Sequence, residues 1–438
     1  MQKIFGMISL GCDKNRVDGE RLLGEVKRHG CEITDDISRA QILIINTCAF
    51  LNAAREESIN AVLESNAYRN GALEKIVVTG CLPEKFIGEL FPALTEGDVF
   101  LGVNDASELF PALERSYREG RVNAVGTGNG CMPKRVVSTV PHLKYLKIAD
   151  GCFRHCTYCL IPKIRGKYRS YPMEDLIAEA ESLGDTQELV LVAQDTTRYG
   201  EDSGENQFCA LLRKLSALEN IHQIRILYCY PEAITEELIA EVRDNPKIVK
   251  YLDIPFQHSE TRILKLMGRM GTRESYLNLL EKLRREIKGI AVRSTFMAGF
   301  PSETEEDHAG LCAFLKEAKL ENCGFFAYSR EPDTPAYRMK GQVPARVKKR
   351  RVRELYAVQK NISLENLKKY VGETLTVLCD GIDYEKSCFL GRAYFQAYEI
   401  DGVVRFTAPR AQTGEYYSVY IDKTDGYDLF GRVEEPSL

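Results

Sequence analysis

Short apolar runs alternate with amphipathic stretches along the first 120 residues of the chain. The apolar runs at residues 7–11, 42–47 and 76–80 have the length of buried strands, and the stretches between them have helical spacing. Strands and helices that alternate in this way form a parallel sheet covered by helices. We therefore predict an α/β fold whose N-terminal domain is an open parallel α/β sheet.

The same alternation continues after residue 159. Amphipathic helices, for example Met173–Leu183 and Thr272–Ile287, separate five further strand candidates. With the apolar strand before Cys152 they give six β/α units, so the middle of the chain is predicted to form an incomplete, TIM-like (β/α)6 barrel. The five candidates are Glu188–Ala193, Gln223–Tyr228, Tyr251–Pro255, Ala291–Met297 and Gly324–Tyr328.

Residues 369–438 have a different pattern, in which short strand candidates alternate with turns rich in Gly and Asp. This pattern is typical of a small, OB-like β-barrel of five strands. A stretch rich in Gly, Asn and Pro before residue 139 is interpreted as a linker. The predicted division is an N-terminal domain at 1–120, a linker at 121–137, a core at 138–368 and a small barrel at 369–438.

The composition is that of a globular protein, since 44% of the 438 residues are hydrophobic and 28% are charged. No apolar run reaches the length of a membrane span, and the N-terminal residues lack the pattern of a secretory signal peptide. We therefore expect a cytoplasmic protein without membrane attachment. In that compartment the 14 cysteines are metal ligands or buried thiols and not disulfides.

Charge is unevenly distributed near the C-terminus. Residues 368–438 contain 8 Lys and Arg against 12 Asp and Glu, a net charge of −4. Carboxylates such as Glu399 and Asp401 are expected at the surface, where they repel phosphates and attract a basic protein. By contrast, six of the eight residues from Arg346 to Arg353 are basic. Two interpretations of this helix stay open, contact with nucleic acid and a solvated connecting helix.

Three cysteines lie close together in the sequence C-x₃-C-x₂-C, at Cys152, Cys156 and Cys159. Three thiolates can bind three corners of a cubane iron–sulfur cluster, which leaves the fourth iron open for a substrate or cofactor. A zinc site with His155 as fourth ligand is one alternative, although zinc favours a closed shell of four well-placed ligands. Three unrelated cysteines are the other alternative.

A second set of cysteines, Cys12, Cys48 and Cys81, follows three strand candidates of the N-terminal domain. The carboxyl ends of parallel strands meet at one edge of a sheet, so these three thiols are predicted to converge. The alternative is that they are buried packing residues. We assign the other eight cysteines to packing: Cys31, Cys131, Cys209, Cys229, Cys312, Cys323, Cys379 and Cys388.

Several residues of the core are candidates for cofactor binding because most of them follow its strands. Gln194 and Asp195 are able to hold an amino group or to cap a helix. Gln257 and His258 either face a ligand or belong to the core. The charge of Arg293 in an apolar strand needs a carboxylate from a ligand or from the protein. The candidates are Tyr158, Gln194, Asp195, Gln257, Arg293, Gly299 and Tyr328.

Together these residues resemble the methylthiotransferase branch of the radical S-adenosylmethionine enzymes, over nearly the whole chain. The motifs that carry the resemblance are Ser9–Asn15, Asn46–Cys48, Thr79–Cys81, the C-x₃-C-x₂-C sequence and Phe300–Glu303. The resemblance implies S-adenosylmethionine and two 4Fe–4S clusters as cofactors, and a TRAM domain as the C-terminal barrel. It also implies that Cys152, Cys156 and Cys159 hold the cluster that binds S-adenosylmethionine, and that Cys12, Cys48 and Cys81 hold an auxiliary cluster.

Within this branch, Asp13–Asn15, Tyr251–His258 and Gly391–Gly402 are most similar to the subfamily that modifies a ribosomal protein. The implied reaction adds a methylthio group to the β-carbon of an aspartate on small-subunit ribosomal protein twelve. The implied partners are that protein, an electron donor such as a flavodoxin or ferredoxin, and a sulfide source, without direct contact to nucleic acid. The chain departs from the family at Ser302, where a glycine is usual.

Two other functions remain as alternatives at this point. A transfer-RNA adenosine methylthiotransferase is favoured by the basic helix and opposed by the acidic C-terminal barrel. A non-catalytic metal–sulfur scaffold or RNA-binding module is opposed by the two incomplete ligand sets, since open coordination positions are typical of reactive centres.

Overall fold

The computed structural model describes residues 3–128 and 134–433. The chain divides into two compact units. The first unit comprises Met1–Thr139, Tyr145–Arg154 and Cys159–Arg169, and the second comprises Val140–Lys144, His155–Tyr158 and Ser170–Leu438. No helix in the described part of the chain is both long and apolar enough to cross a membrane.

The first unit contains a parallel sheet of six strands in the order β2-β1-β3-β4-β5-β6. All six residues of the inner strand β3 are buried, because side chains on both of its faces lie under helices. The structure therefore confirms the predicted open parallel α/β sheet. Its strands are β1 (Ile4–Ser9), β2 (Glu32–Ile33), β3 (Ile42–Thr47), β4 (Lys75–Gly80), β5 (Val99–Phe100) and β6 (Val122–Asn123). Its helices are α1 (Asp13–Arg28), α2 (Asn52–Ser65), α3 (Cys81–Ala93) and α4 (Leu109–Glu119).

Strand β6 lies within the predicted linker, which therefore begins later than residue 121. Val122 and Asn123 pair with Val99 and Phe100, and the side chain of Val122 is 2% exposed in the core. A strand of two residues has no measurable periodicity, so the sequence pattern could not reveal it. Residues 129–133 of the predicted linker, including Cys131, lie outside the described residues.

Four short elements follow β6 along the chain: β7 (Leu143–Lys147), β8 (Ala149–Asp150), α5 (Ile161–Ile164) and β9 (Arg169–Ser170). The second sheet has the order β14-β13-β12-β11-β10-β7, and the strand pairs from β10 to β14 are parallel. Neighbours in sequence are neighbours in space, which is the arrangement of a half-barrel. The structure thus confirms the incomplete (β/α)6 barrel.

The strands of the half-barrel within the second unit are β10 (Thr186–Val192), β11 (Ile221–Ile226), β12 (Ile248–Asp253), β13 (Ala291–Ala298) and β14 (Asn322–Ala327). Its helices are α6 (Met173–Ser182), α7 (Phe208–Ser216), α8 (Glu236–Asp244), α9 (Thr261–Leu266), α10 (Arg273–Glu286), α11 (Glu305–Ala318) and α12 (Ala345–Lys368). Thr304 and Asp307 form a capping box at the start of α11, so local sequence determines where this helix begins.

The C-terminal strands form a closed barrel in the order β15-β16-β17-β19-β18, as predicted. They are β15 (Thr374–Asp383), β16 (Cys388–Arg392), β17 (Val404–Thr407), β18 (Tyr416–Thr424) and β19 (Leu429–Val433). The last residue of β16 and the segment between β16 and β17 carry charges that pair with the half-barrel. Arg392 binds Glu188 of β10, which also binds Arg225 of β11, and all three side chains are buried.

The same segment places Asp401 in the interior, so the prediction that Asp401 belongs to an exposed acidic surface is wrong. Its side chain is 3% exposed and accepts hydrogen bonds from Tyr251 Oη (2.7 Å) and the backbone N–H of Ala397 (2.9 Å). Arg293 Nε lies 3.5 Å from Asp401 Oδ1. A buried cation needs a nearby anion, which the composition of the segment alone does not reveal. Glu399 is exposed, as expected.

Candidate functional site

The three cysteines of the first unit lie at the carboxyl edge of its sheet. Cys12 is the N-cap of α1, Cys48 directly follows β3, and Cys81 is the first residue of α3 after β4. Strands β1 and β4 both pair with β3, so the structure brings the three chain segments together as the sequence predicts. Cys12 and Cys81 also lie at helix N-termini, where the helix dipole favours a thiolate.

Two glycines allow these segments to approach each other. Gly11 has a φ of 95°, and a Cβ atom there would lie 2.9 Å from Cys48 Cβ. Gly80 has a φ of 96°, and a Cβ atom there would lie 2.6 Å from the Thr47 carbonyl oxygen. A side chain at either position would be strained and would push the neighbouring strand end away. The glycines therefore allow the turns that precede Cys12 and Cys81 to pack closely against the end of β3, and we call this pair of turns the glycine cradle.

Two asparagines hold the same strand ends in place. Asn15 Nδ2 donates to the carbonyl oxygens of Leu10 (2.7 Å) and Thr47 (3.2 Å). Asn46 Nδ2 donates in turn to the carbonyl oxygen of Asn15 (2.6 Å). Both side chains are almost fully buried, where an amide without partners would be costly. These bonds fix the loop before Cys12 against the strand before Cys48.

Burial affects the chemistry of these thiols. Burial raises the pKa of the Cys81 thiol to about 11, and the guanidinium of Arg165 acts in the opposite direction. Burial also raises the pKa of Cys48, and the neighbouring thiol of Cys12 adds to this effect. Thiols of this kind are protonated at neutral pH unless a metal replaces the proton. Sulfur is the soft donor that iron–sulfur clusters take, so the donor type of the set fits such a cluster, whose binding would displace the thiol protons.

A buried network of charges, which sequence reasoning missed, lies directly behind Cys81. Arg165 Nη2 donates to Cys81 Sγ (3.4 Å), and Arg165 Nη1 contacts the carboxylates of Asp18 and Asp150. Lys147 Nζ donates to the same two carboxylates, at 2.7 and 2.8 Å. Lys147 is a charged residue in the apolar strand β7, just as Arg293 is in β13. This pattern indicates a buried charge that needs a counterion, so it could have revealed the network.

The cysteines of the C-x₃-C-x₂-C sequence lie in a loop between β8 and α5. In the first unit, Cys152 Sγ accepts from the backbone N–H of Arg154 and Cys159 Sγ accepts from that of Ile161, both at 3.4 Å. In the second unit, Cys156 Sγ lies 3.8 Å from Tyr230 Oη. Hydrogen bonds to sulfur are typical around iron–sulfur clusters, where they adjust the reduction potential.

Neither set of three thiols supplies the four ligands of a closed zinc site. Across the two described stretches of the chain, no three His, Cys, Asp or Glu side chains lie close enough together to share one metal ion. A cubane cluster needs a wider arrangement, since each thiolate binds a different iron. The glycine cradle, the thiol donors and the N–H groups that point at sulfur all fit such a cluster.

Four of the candidate residues in the half-barrel follow strand ends. Gln194 follows β10, Gln257 follows β12, Gly299 follows β13 and Tyr328 follows β14. Gln257 has a φ of 71°, and its buried Oε1 has no hydrogen-bond partner in the described part of the chain. This amide oxygen therefore has hydrogen-bonding capacity that the described protein groups leave unused.

Aromatic rings form an apolar wall beside these residues. The ring of Tyr158 meets that of Phe300 edge-on at 6.4 Å, and Phe300 meets Tyr328 edge-on at 5.3 Å. Gly299 has a φ of 76°, which only glycine adopts without strain, and its N–H donates to Glu303 Oε2 (2.6 Å). A Cβ atom at Gly299 would collide with the side chain of Lys348, so this strand end has room for backbone but not for a side chain.

Other candidates have protein partners. Asp195 Oδ1 accepts from Thr197 Oγ1 at 2.8 Å, which is a local turn contact. His258 is fully buried and its Nδ1 accepts from the backbone N–H of Glu260 (3.0 Å), as a core histidine does. Arg293 donates to Asp253 Oδ1 (2.8 Å), so of the two partners left open the structure shows protein carboxylates.

Of the seven remaining described cysteines, Cys31, Cys209, Cys229 and Cys379 are buried and Cys312, Cys323 and Cys388 are partly buried. In the basic helix, Arg350 donates to Glu305 (2.7 Å) and Arg351 to Glu303 (2.8 Å). Part of its positive charge is therefore neutralised by the start of α11.

Comparisons with known families match three parts of the chain. Residues 4–102 match the Uncharacterized protein family UPF0004, residues 146–315 match the Radical SAM superfamily, and residues 371–433 match the TRAM domain. These ranges fall on the open sheet, the half-barrel and the small closed barrel, respectively.

Curated proteins match over the full length. The chain is 43% identical to the ribosomal protein uS12 methylthiotransferase RimO of Lachnoclostridium phytofermentans, over 99% of this chain and 100% of that protein. It is 43% identical to the protein of the same name from Clostridium botulinum (strain Eklund 17B), over 99% of this chain and 98% of that protein. The RimO of Acetivibrio thermocellus is 41% identical, with 99% of each chain covered.

A comparison with solved structures supports the fold and says nothing about function. The radical S-adenosylmethionine methyltransferase TsrM from Kitasatospora setae, with cobalamin and a [4Fe-4S] cluster bound, superimposes with a TM-score of 0.55 at 14% identity. The match covers 85% of this chain and 79% of that chain.

Proposed function

The chain belongs to the radical S-adenosylmethionine methylthiotransferases, among the RimO proteins, and on this premise we propose that it methylthiolates the β-carbon of an aspartate on ribosomal protein uS12. Members of this family use S-adenosylmethionine and [4Fe–4S] clusters. The observation that carries the proposal is the carboxyl edge of the first sheet, where Cys12, Cys48 and Cys81 lie in a glycine cradle. A methylthiotransferase needs such a sulfur-binding centre in addition to its C-x₃-C-x₂-C motif.

Each set of thiols has one role in this proposal. Cys152, Cys156 and Cys159 are the ligands of the cluster that binds S-adenosylmethionine, and Cys12, Cys48 and Cys81 are the ligands of the auxiliary cluster. When bound, these cofactors supply the radical chemistry and the sulfur, which no protein side chain provides. The protein itself places the thiolates, orients the ligands and excludes water.

The half-barrel residues support binding and the exclusion of water. The buried Oε1 of Gln257 is available to accept a hydrogen bond from the cofactor, since it has no partner in the described part of the chain. Tyr158, Phe300 and Tyr328 line one side with apolar rings, which keep water from a reactive radical. Gly299 allows the backbone to approach the cofactor closely, and Gln194 is a second candidate contact. Arg293 is engaged by Asp253 and Asp401.

The partners follow from the same proposal. We assign uS12 as the protein substrate, a flavodoxin or ferredoxin as the electron donor, and sulfide as the source of the sulfur atom. The exposed carboxylates of the C-terminal barrel support a basic protein substrate, because opposite charges accelerate association. The three matched regions act as the auxiliary-cluster domain, the radical domain and the substrate-docking TRAM domain.

Iron analysis of cysteine variants tests the two ligand sets. The anaerobically reconstituted protein is expected to hold about eight irons per chain, as two cubane clusters require. The Cys12, Cys48 and Cys81→Ala variant should lose half of the iron and still cleave S-adenosylmethionine to 5′-deoxyadenosine. The matched control replaces Cys312, Cys323 and Cys388, which lie outside both motifs, and should keep all of the iron. Full iron in the first variant would refute the auxiliary site.

The second variant replaces Cys152, Cys156 and Cys159 by Ala. It should keep the other half of the iron and form no 5′-deoxyadenosine above background, because the motif that binds S-adenosylmethionine is gone. Any enzymatic 5′-deoxyadenosine formation by this variant would refute the assignment of the catalytic cluster.

Mass spectrometry distinguishes the protein substrate from a transfer-RNA substrate. Without this enzyme, uS12 should lose a mass that corresponds to one methylthio group, and the methylthioadenosine of total transfer RNA should stay unchanged. The ion pairs of Arg350 and Arg351 with α11 weaken the case for RNA, because they neutralise part of the basic helix. Loss of the RNA modification with unmodified uS12 in both strains would establish the alternative.

A further inference from the structure

Arg165 occupies an unusual position for a positive charge. Its side chain is 1% exposed, and it lies at the C-terminal end of the short helix α5, six residues after Cys159. Its Nη2 donates to Cys81 Sγ (3.4 Å) and to Asn15 Oδ1 (3.3 Å). The guanidinium of Arg165 thus contacts Cys81 of the first cysteine set. Its backbone follows shortly after Cys159, the last cysteine of the second set.

The surrounding charges fix this guanidinium rather than merely neutralising it. Arg165 Nη1 binds the carboxylates of Asp18 and Asp150, and Lys147 bridges the same two carboxylates from the other side. Arg21 adds a third cation, since its Nη1 lies 3.9 Å from Asp18 Oδ1. The two carboxylates hold Arg165 Nη1 in place, so the N–H group that points at Cys81 has a defined direction. A lysine could not make all of these contacts, because Arg165 reaches Asp18, Asp150, Asn15 and Cys81 from two nitrogens of one rigid plane, whereas an ammonium has three donors on a single nitrogen.

We propose that Arg165 is a positioning residue for the auxiliary cluster, where its N–H···S bond to Cys81 makes the cluster easier to reduce. The inference rests on the proposed function, because Cys81 has to be a ligand of that cluster. A hydrogen bond from a cation withdraws electron density from the thiolate, and this stabilises the reduced, more negative cluster. Removing the bond should therefore lower the reduction potential without removing the ligands.

The test uses the full-length protein with Cys152, Cys156 and Cys159 replaced by Ala, so that the auxiliary cluster is the only one present. In this background, the redox titration of Arg165→Gln is followed by electron paramagnetic resonance. At the midpoint potential of the background protein, we expect the ratio of reduced to oxidised cluster to fall about tenfold, the effect of losing one charge-assisted hydrogen bond. The ratio for Arg165→Lys should lie between those of the background protein and Arg165→Gln, since lysine keeps the positive charge and loses the planar donor geometry of the guanidinium.

Lys147→Met is the matched control. Lys147 is fully buried and donates to both carboxylates that Arg165 contacts, and its replacement leaves the N–H···S bond from Arg165 to Cys81 in place. It should lower the melting temperature as Arg165→Gln does and leave the potential nearly unchanged. Loss of the cluster in both Arg165 variants, with retention in Lys147→Met, would also support a positioning role, because the control removes the same buried charge.

Two results would overturn the inference. The first leaves the ligand assignment of the auxiliary cluster intact, and the second removes it as well. Equal shifts of the potential in Arg165→Gln and Lys147→Met, or no shift in either, would show that the contact with Cys81 has no special role. The ligand assignment would stand in that case. If the background protein with Arg165 intact held no cluster, the assignment of Cys12, Cys48 and Cys81 would fail together with the inference.

Discussion

Replacing Glu188 by Gln should destabilise the second unit strongly, although the two side chains have nearly the same size. Glu188 is 2% exposed and lies between two buried arginines: it accepts from Arg225 Nε and, at 2.8 Å, from Arg392 Nη1. The amide cannot neutralise either guanidinium. Breaking a buried ion pair on one side costs about 3–5 kcal/mol, because the remaining charge is left without its counterion.

Other partners place the expected value at the lower end of this range. Arg392 keeps two hydrogen bonds to Asp380, and Arg225 keeps the carbonyl oxygen of Tyr394. Burial acts to raise the pKa of Glu188, but the two guanidinium groups overcome it and lower the pKa to about 2. A carboxylate stabilised to this extent contributes roughly 3 kcal/mol. We therefore expect a loss of about 3 kcal/mol, or a melting temperature lower by about 6–12 °C.

The assay is thermal unfolding followed by circular dichroism and calorimetry, at several pH values. Since folding lowers the pKa of Glu188, its contribution is complete above the ordinary value of 4.5 and is lost as the pH falls through about 2. The difference between wild type and variant should be constant near neutral pH and should shrink below pH 4.5. Glu237→Gln, in an exposed pair with Arg213, is the control and should leave the melting temperature unchanged.

Two results would refute this reasoning. A change no larger than that of the control would mean that the network around Glu188 is solvated. A difference that persists unchanged far below pH 4.5 would mean that the lost stability comes from packing and not from the charge of the carboxylate.

Three further predictions follow from single positions. Gly11→Ala should halve the iron content without unfolding the protein, because its Cβ would lie 2.9 Å from Cys48 Cβ; unchanged iron analysis would contradict the cradle. Ser302 has a φ of 68°, so Ser302→Gly should stabilise the protein by about 0.5–1 kcal/mol in thermal unfolding, and a loss of stability would contradict this. Glu399→Lys should slow association with uS12 at low salt, measured by surface plasmon resonance, whereas the buried Asp401→Asn should lower stability instead. Equal association rates for Glu399→Lys and wild type would exclude steering.

The elements that could be predicted from the sequence are those with enough residues to show a period. The apolar runs of β3, β10 and β13 located the strands within a few residues, and cysteines directly after strands indicated where thiols meet. The two-residue strand β6 is too short for such a signal. Strand β19 has only one buried residue at its start, Leu429, so it resembles a loop.

Contacts between distant residues could not be predicted from one sequence. Arg165 and Cys81 are 84 positions apart, and nothing in either local pattern connects them. Asp401 lies in an acidic segment and has the local sequence of a surface residue, but its side chain is buried against Tyr251. Charge counts describe what a segment contains, whereas burial depends on which element packs on it.

The ion pairs of Arg392 and Asp401 limit how the C-terminal barrel can be exchanged between relatives. This barrel supplies the counterions of buried charges in β10 and β13, so its removal would leave Glu188 and Arg293 with fewer partners. Truncation at residue 371 would therefore perturb the half-barrel as well as the docking of substrate. A chimera with a foreign barrel should fold only if that barrel carries a cation at position 392 and an anion at position 401. These two charges have to match Glu188 of β10 and Arg293 of β13 in the half-barrel that receives them.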